Sequence, residues 1–188
     1  MEPNESLQII ENMIAKTKGN IATKSKYFLL WGWAVFLTAI AQYILIRMLF
    51  PHAQMVWLSM IIAGIIAVFI AVRDKKTEKS ISYVGDAVRK LWQSIGIACI
   101  LIVVLTIKGT IFSIPVFILI YGVGVFTTGR IIQFKPLIIG GLICFVSSLI
   151  SVFIPQDANQ LLLLAATVMC SYIIPGHLLS AESKKAIR

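Results

Sequence analysis

The sequence is poor in charge, and poorest where an ion-coupled carrier or a membrane enzyme would need it. Only 13% of its 188 residues are charged, against about 25% in an ordinary soluble domain. Eight are acidic, and none of them lies within a long apolar run; Asp157 falls in a short connection and Glu182 near the C-terminus. A carboxylate inside the bilayer is the usual mark of a proton relay or ion pathway, so the shortage argues against proton or sodium coupling. Histidine is scarce too, with only His52 and His177, and the paired acids or histidines of a membrane protease or phosphatase are missing. The cysteines, Cys99, Cys144 and Cys170, each sit inside an apolar run without CxxC or Cys/His spacing. Such placement excludes a disulfide framework or zinc site and leaves them as small packed hydrophobes. Residues 1–26 are polar and mixed in charge, with no apolar core or small-residue cleavage site, so no signal peptide is expected there. Nor do we expect enzymatic activity, a metal or a cofactor.

What the sequence has in excess is apolar length. Hydrophobic residues make up 59% of the chain and its mean hydropathy is +0.91, beyond the ~45–50% apolar content of soluble proteins. A globule this small leaves too much of its chain at the surface to hide that excess, and a bilayer resolves the conflict. Six apolar stretches stand out, at 27–50, 55–72, 91–107, 111–128, 136–154 and 160–179. Pro51, Pro155 and the Arg73-Asp74-Lys75-Lys76 cluster close three of them, and Pro115 and Pro136 fall in the first turns of two others, where a missing N–H costs least. Each is close to the ~20 residues that cross ~30 Å of hydrocarbon at 1.5 Å per residue. Runs such as Leu101-Ile102-Val103-Val104-Leu105 do not alternate in polarity, which excludes a barrel and leaves helices. The expected fold is an all-α membrane protein, a bundle of six transmembrane helices in three hairpins. A cytoplasmic segment at 1–26 precedes the transmembrane domain (27–180), and a tail at 181–188 follows it. The sixth span crosses comfortably only if it runs on through Pro175-Gly176 to Leu179, so we expect an interruption there.

Orientation follows from the basic residues. Of the 17, all but Arg47 and Lys108 fall in the N-terminal segment, the connections after spans two and four, or the tail. The positive-inside rule then sets both termini in the cytoplasm. Trp31, Trp33, Trp57 and Trp92 lie near span ends, where indole prefers the headgroup level. The net charge of +9 is thereby read as topology and contact with anionic lipid, not nucleic-acid binding, for which no basic stripe interleaved with aromatics exists.

Two segments on that side have amphipathic spacing. Leu7, Ile10 and Ile14 recur between a candidate N-cap at Asn4 and a stop at Gly19-Asn20, and Ile81, Val84 and Val88 recur opposite Lys79, Asp86, Arg89 and Lys90. They fit short cytoplasmic helices lying in the headgroup plane, or docking surfaces for a protein partner or a second copy. Inside the membrane, small residues mark close helix seams: Ala63, Ala67 and Ala71 in span two, Gly122, Gly124 and Thr128 in span four, and Gly140, Cys144, Ser147, Ser148 and Ser151 in span five. Gln42 and Arg47, near the outer end of span one, are candidates for a ligand or pore contact, with snorkelling as the plainer account of Arg47. Thr127-Thr128-Gly129-Arg130 ends span four at the level of His177 in span six, and Arg130 and His177, together with Tyr121 and Tyr172, are candidates for lining a polar cytoplasmic mouth.

Leu30-Trp31-Gly32-Trp33, Phe134-Lys135-Pro136-Leu137 and Ile174-Pro175-Gly176-His177-Leu178-Leu179 together resemble a family of small, uncharacterised bacterial six-span proteins. The resemblance covers nearly the whole chain and implies a bacterial inner-membrane location, but no activity and no site residue. The expectation from residues and resemblance is a non-enzymatic accessory or regulatory protein of the bilayer, acting through helix seams or its cytoplasmic face. The alternative is a small-solute transporter or channel, monomeric or dimeric.

Overall fold

A computed structural model of the chain describes residues 25–77, 83–107, 113–155 and 158–186. Leu7, Ile10, Ile14 and Ile81 lie outside them. Every regular element among the described residues is helical, and six helices are long and apolar enough to cross a membrane. Helix α1 runs over Ser25–Arg47; a short 3-10 segment, Ala53–Leu58, leads into α2, Ser59–Thr77. Then follow α3 (Tyr83–Ile107), α4 (Ser113–Ile132) and α5 (Lys135–Phe153). The sixth span is composite: α6 (Ala158–Val168), a π-helical turn (Met169–Ile173) and α7 (Ile174–Ala186).

Two of these elements differ in form from the sequence reading. The segment from Tyr83, expected as a separate amphipathic helix, is the first turns of α3. No proline intervenes before the apolar span, and Asp86 in the first turn pairs with Arg89 and, at 2.8 Å, with Lys90. An acidic side chain at a helix start and ion pairs at three- and four-residue spacing both favour helix there. In the sixth span the helix passes through Pro175-Gly176 unbroken; the irregularity is the π turn just before it, where the Ile174 N–H donates to the Met169 carbonyl.

Two helix ends close in the same way. Beyond α1, the Leu49 N–H donates to Ile46 and the Phe50 N–H to Leu45; beyond α4, the Phe134 N–H donates to Gly129. These are Schellman closures, in which the residue past the helix takes the left-handed conformation, usually as glycine. Here Leu49 (φ 54°) and Gln133 (φ 55°) occupy it. Pro136 then restarts the chain as α5 within its first turn.

Consecutive spans one and two, three and four, and five and six touch, but the closest pairing is α4 with α5, followed by α1 with the sixth span. Glycines make the α4–α5 approach: a Cβ at Gly141 would stand 2.5 Å from the Phe126 Cβ, and one at Gly129 2.7 Å from the Ile138 backbone nitrogen. Ile118, Val125 and Leu137 are wholly buried in this centre. Helix α2 packs on α1, and α3 mainly on α4. The sixth span is the most buried of the six and α2 the least. The molecule is therefore a packed centre of α1, α4, α5 and the sixth span, flanked by α2 and α3.

Candidate functional site

Of the six ligand or pore candidates, Gln42 and Arg47 are engaged by their own surroundings. The Trp57 indole N–H, from the 3-10 segment, donates to Gln42 Oε1 at 2.6 Å. Arg47 lies over the Tyr43 ring at 5.4 Å and its Nε donates to the Tyr43 hydroxyl at 3.4 Å. A turn further in, the hydroxyls of Thr38 and Ser59 meet at 2.9 Å. Thr38 and Gln42 thus form a polar rail, four residues apart on α1, that ties down the start of α2. Arg47 also borders a depression of about 340 Å³ shared with Ile46, Leu49, Ala158 and Asn159.

Arg130 and His177 are both exposed. Tyr121 and Tyr172 do converge, with ring centroids 5.9 Å apart. They belong to a cluster drawn from four parts of the chain: Phe28 of α1, Trp92 of α3, Tyr121 of α4 and Tyr172 of the π turn. Phe28 meets Trp92 edge-on at 5.6 Å, and Tyr172 stands 6.1 Å from each of them. These separations are those of rings in direct edge or tilted contact, each pair contributing about 0.5–1.5 kcal/mol beyond its buried area.

Local sequence explains how the rings reach one another. Gly32, one turn after Phe28, lets the π turn approach α1: a Cβ there would stand 3.0 Å from the Tyr172 Cβ. Gly124 makes room for Trp92, whose indole carbon Cη2 would lie 3.1 Å from a Cβ at that position. The Trp92 N–H donates to Thr128 Oγ1 at 3.2 Å, and that hydroxyl donates to the Gly124 carbonyl at 2.7 Å. Ser171, wholly buried beside Tyr172, donates back to Thr167 at 2.7 Å. The Tyr172 hydroxyl itself is buried and has no hydrogen-bond partner. An unpaired buried hydroxyl costs about 1–3 kcal/mol.

Chemically the cluster offers aromatic faces, one indole donor that is already used and two phenols, of which that of Tyr172 is buried without a partner. Sequence reasoning found its two tyrosines and missed Phe28 and Trp92, because Trp92 was read as a headgroup anchor. Trp92, Ile95 and Ile102 share one face of α3, and Ile95 and Ile102 are buried; that three- and seven-residue spacing was the available signal. Among the docking candidates, Val88 is half-buried on α3 and Val84 lies in its first turn. Among the described residues, no group of three His, Cys, Asp or Glu side chains is placed to hold a metal ion. Comparison with protein-family models, with curated proteins and with solved structures finds no match, so no residue role is carried onto this chain from another protein.

Proposed function

We propose that this protein is a non-enzymatic accessory or regulatory component of a bacterial inner membrane, working through helix–helix contacts or its basic, cytoplasmic face. The observation that carries the reading is the contrast between centre and flanks. Four spans close on one another in a packed centre, whereas α2 and the outer half of α3 present apolar side chains such as Ile62, Phe69, Ile100 and Val104 on most of their surface. Lipid covers such faces, and so does another helix. The distribution of basic residues supports cytoplasmic termini, with three hairpins turning at short outer connections and amphipathic segments (Leu7, Ile10 and Ile14; Ile81, Val84 and Val88) at the cytoplasmic headgroups. Purification in nanodiscs combined with crosslinking in cells tests the reading. A second copy or a membrane or cytoplasmic protein partner is expected in the crosslinked species, and a strictly monomeric protein that captures nothing rejects it. For the orientation, a reporter fused after Arg188 is expected to be active only in a cytoplasmic assay.

A second reading, a small-solute transporter or channel, is favoured by the depression beside Arg47, where an exposed guanidinium borders a concave opening. Its test is solute flux into proteoliposomes, with Arg47→Gln expected to reduce flux of an anion.

A further inference from the structure

The π turn in the sixth span carries an inference that deepens the regulatory reading and rests on it for its purpose. A π turn holds one residue more than the α-helix it interrupts and recurs at functional sites. This one is followed by Pro175, which has no N–H to offer the Ser171 carbonyl four residues back. Gly140 of α5 covers that carbonyl: a Cβ at residue 140 would stand 3.0 Å from the Ser171 oxygen and 2.9 Å from its Cα. On the other side Gly32 of α1 gives clearance to Tyr172. The turn also aims the Tyr172 hydroxyl into a place where nothing pairs with it.

Closing a π turn to α shifts every later residue by one position, so each takes the place of its successor. The face of α7 now buried is Pro175, Gly176 and Leu179. After the shift their places fall to Ile174, Pro175 and Leu178. Ile174 and Leu178 are apolar and each is 47% exposed at present, so α7 carries a second apolar face at the one-residue offset that closure demands. At the place of Gly176 the group nearest an added Cβ is the Leu29 side chain, whose Cδ2 would lie 3.0 Å away, and it is a flexible group able to turn away.

We propose that the sixth span has two registers, one with the π turn at Met169–Ile173 and one with that turn closed to α. Closure rotates α7 by about 100° and withdraws Tyr172 from the ring cluster. Contact with α7 at the basic end then selects between the registers. Each register has its own cost: the open one holds an unpaired phenol, and the closed one seats Pro175 where Gly176 now sits.

Distance measurement between two spin labels tests this in purified protein, with no partner present, so its failure is separate from failure of the regulatory reading. The labels go at Leu37→Cys on α1 and His177→Cys on α7, both exposed and the second outside the buried face in either register, with Cys99, Cys144 and Cys170 each replaced by Ala. A 100° rotation moves the attachment point by about 8 Å at side-chain radius, so two distance populations are expected. Tyr172→Phe removes the unpaired hydroxyl and is expected to enrich the π register about fivefold or more. Pro175→Ala restores a donor to Ser171 and is expected to enrich the other. A single population that Tyr172→Phe leaves unmoved overturns the proposal, as does a shift of both variants in the same direction.

Discussion

A methyl group at residue 141 has nowhere to go. It would stand 2.5 Å from the Cβ of Phe126 and 2.7 Å from that residue's Cα and backbone nitrogen, so α4 and α5 must move apart to admit it. Overpacking of this kind costs about 1–3 kcal/mol, and Gly141→Ala is expected to lower the thermal unfolding temperature in detergent clearly. Gly96→Ala is the internal control: nothing lies within 4 Å of a Cβ there, and alanine is favoured over glycine in a helix by about 0.8–1 kcal/mol, so the temperature should hold or rise. The same measurement separates two other single-residue effects. Gln133 sits at φ 55°, a left-handed conformation that costs a side-chain-bearing residue about 1–2 kcal/mol; Gln133→Gly is expected to stabilise by about 1 kcal/mol. Gln160 is buried and its amide donates to the carbonyls of Ser151 and Ile154, both at 3.0 Å, which closes the end of α5. Gln160→Met keeps most of the volume and strands both carbonyls, at an expected loss of about 1–3 kcal/mol.

At the scale of the helix, attachment of α3 depends on few groups. Its Trp92 meets three partners on three other elements: the Phe28 ring, the Tyr172 ring and the Thr128 hydroxyl. Trp92→Ala removes all three and leaves a cavity, a change that costs about 3–5 kcal/mol in packed cores, whereas Trp92→Phe forfeits only the hydrogen bond and part of the contact. Proteolysis in the connection at 78–82 is expected to speed up strongly for the first variant and slightly for the second; equal rates would show that α3 is held elsewhere. How much of this was legible beforehand depends on the physics behind each feature. The six helices were, because a long apolar run bounded by Pro51, Arg73 or Pro155 has only one conformation open to it in hydrocarbon. The seam of span five was too: Gly140, Cys144, Ser147, Ser148 and Ser151 recur on one face, and all five are buried. The inward turn of Trp92 was not, since an indole near a span end suits the headgroups equally well, and only the space left by Gly124 on another helix decides between them. The form of the irregularity in the sixth span was also hidden. Pro175 marks where a backbone bond is lost, but whether the chain answers with a kink or with a π turn one step earlier depends on Gly32 and Gly140 across the interface.

For the whole molecule, the order of packing differs from the order of the chain. Helix α1 lies first among the described helices, yet its principal partner is the sixth span, so the pair α1–α2 is joined to the remaining spans mostly by contacts far apart in the chain. Helices that form independently and then associate through close backbone approach follow the two-stage route of membrane folding, and such a chain tolerates a cut between units. Division in the connection at 78–82 separates α1 and α2 from α3, α4, α5 and the sixth span. The two pieces, co-expressed and tagged at one end only, are expected to copurify in near-equal amounts, because Gly32, Val35 and Ala39 of α1 remain free to dock. Gly32→Leu sets a branched side chain where even a Cβ would lie 3.0 Å from the Tyr172 Cβ and 3.1 Å from the Ile173 side chain, and is expected to reduce recovery of the untagged piece about tenfold, equivalent to ~1.4 kcal/mol of association energy. Gly64→Leu, on the other helix of the same piece at a position with nothing within 4 Å of a Cβ, is expected to leave recovery unchanged. Equal loss from both substitutions would mean that α2 also contributes to the joint, and no loss from either would place the main docking surface of α1 away from the π turn.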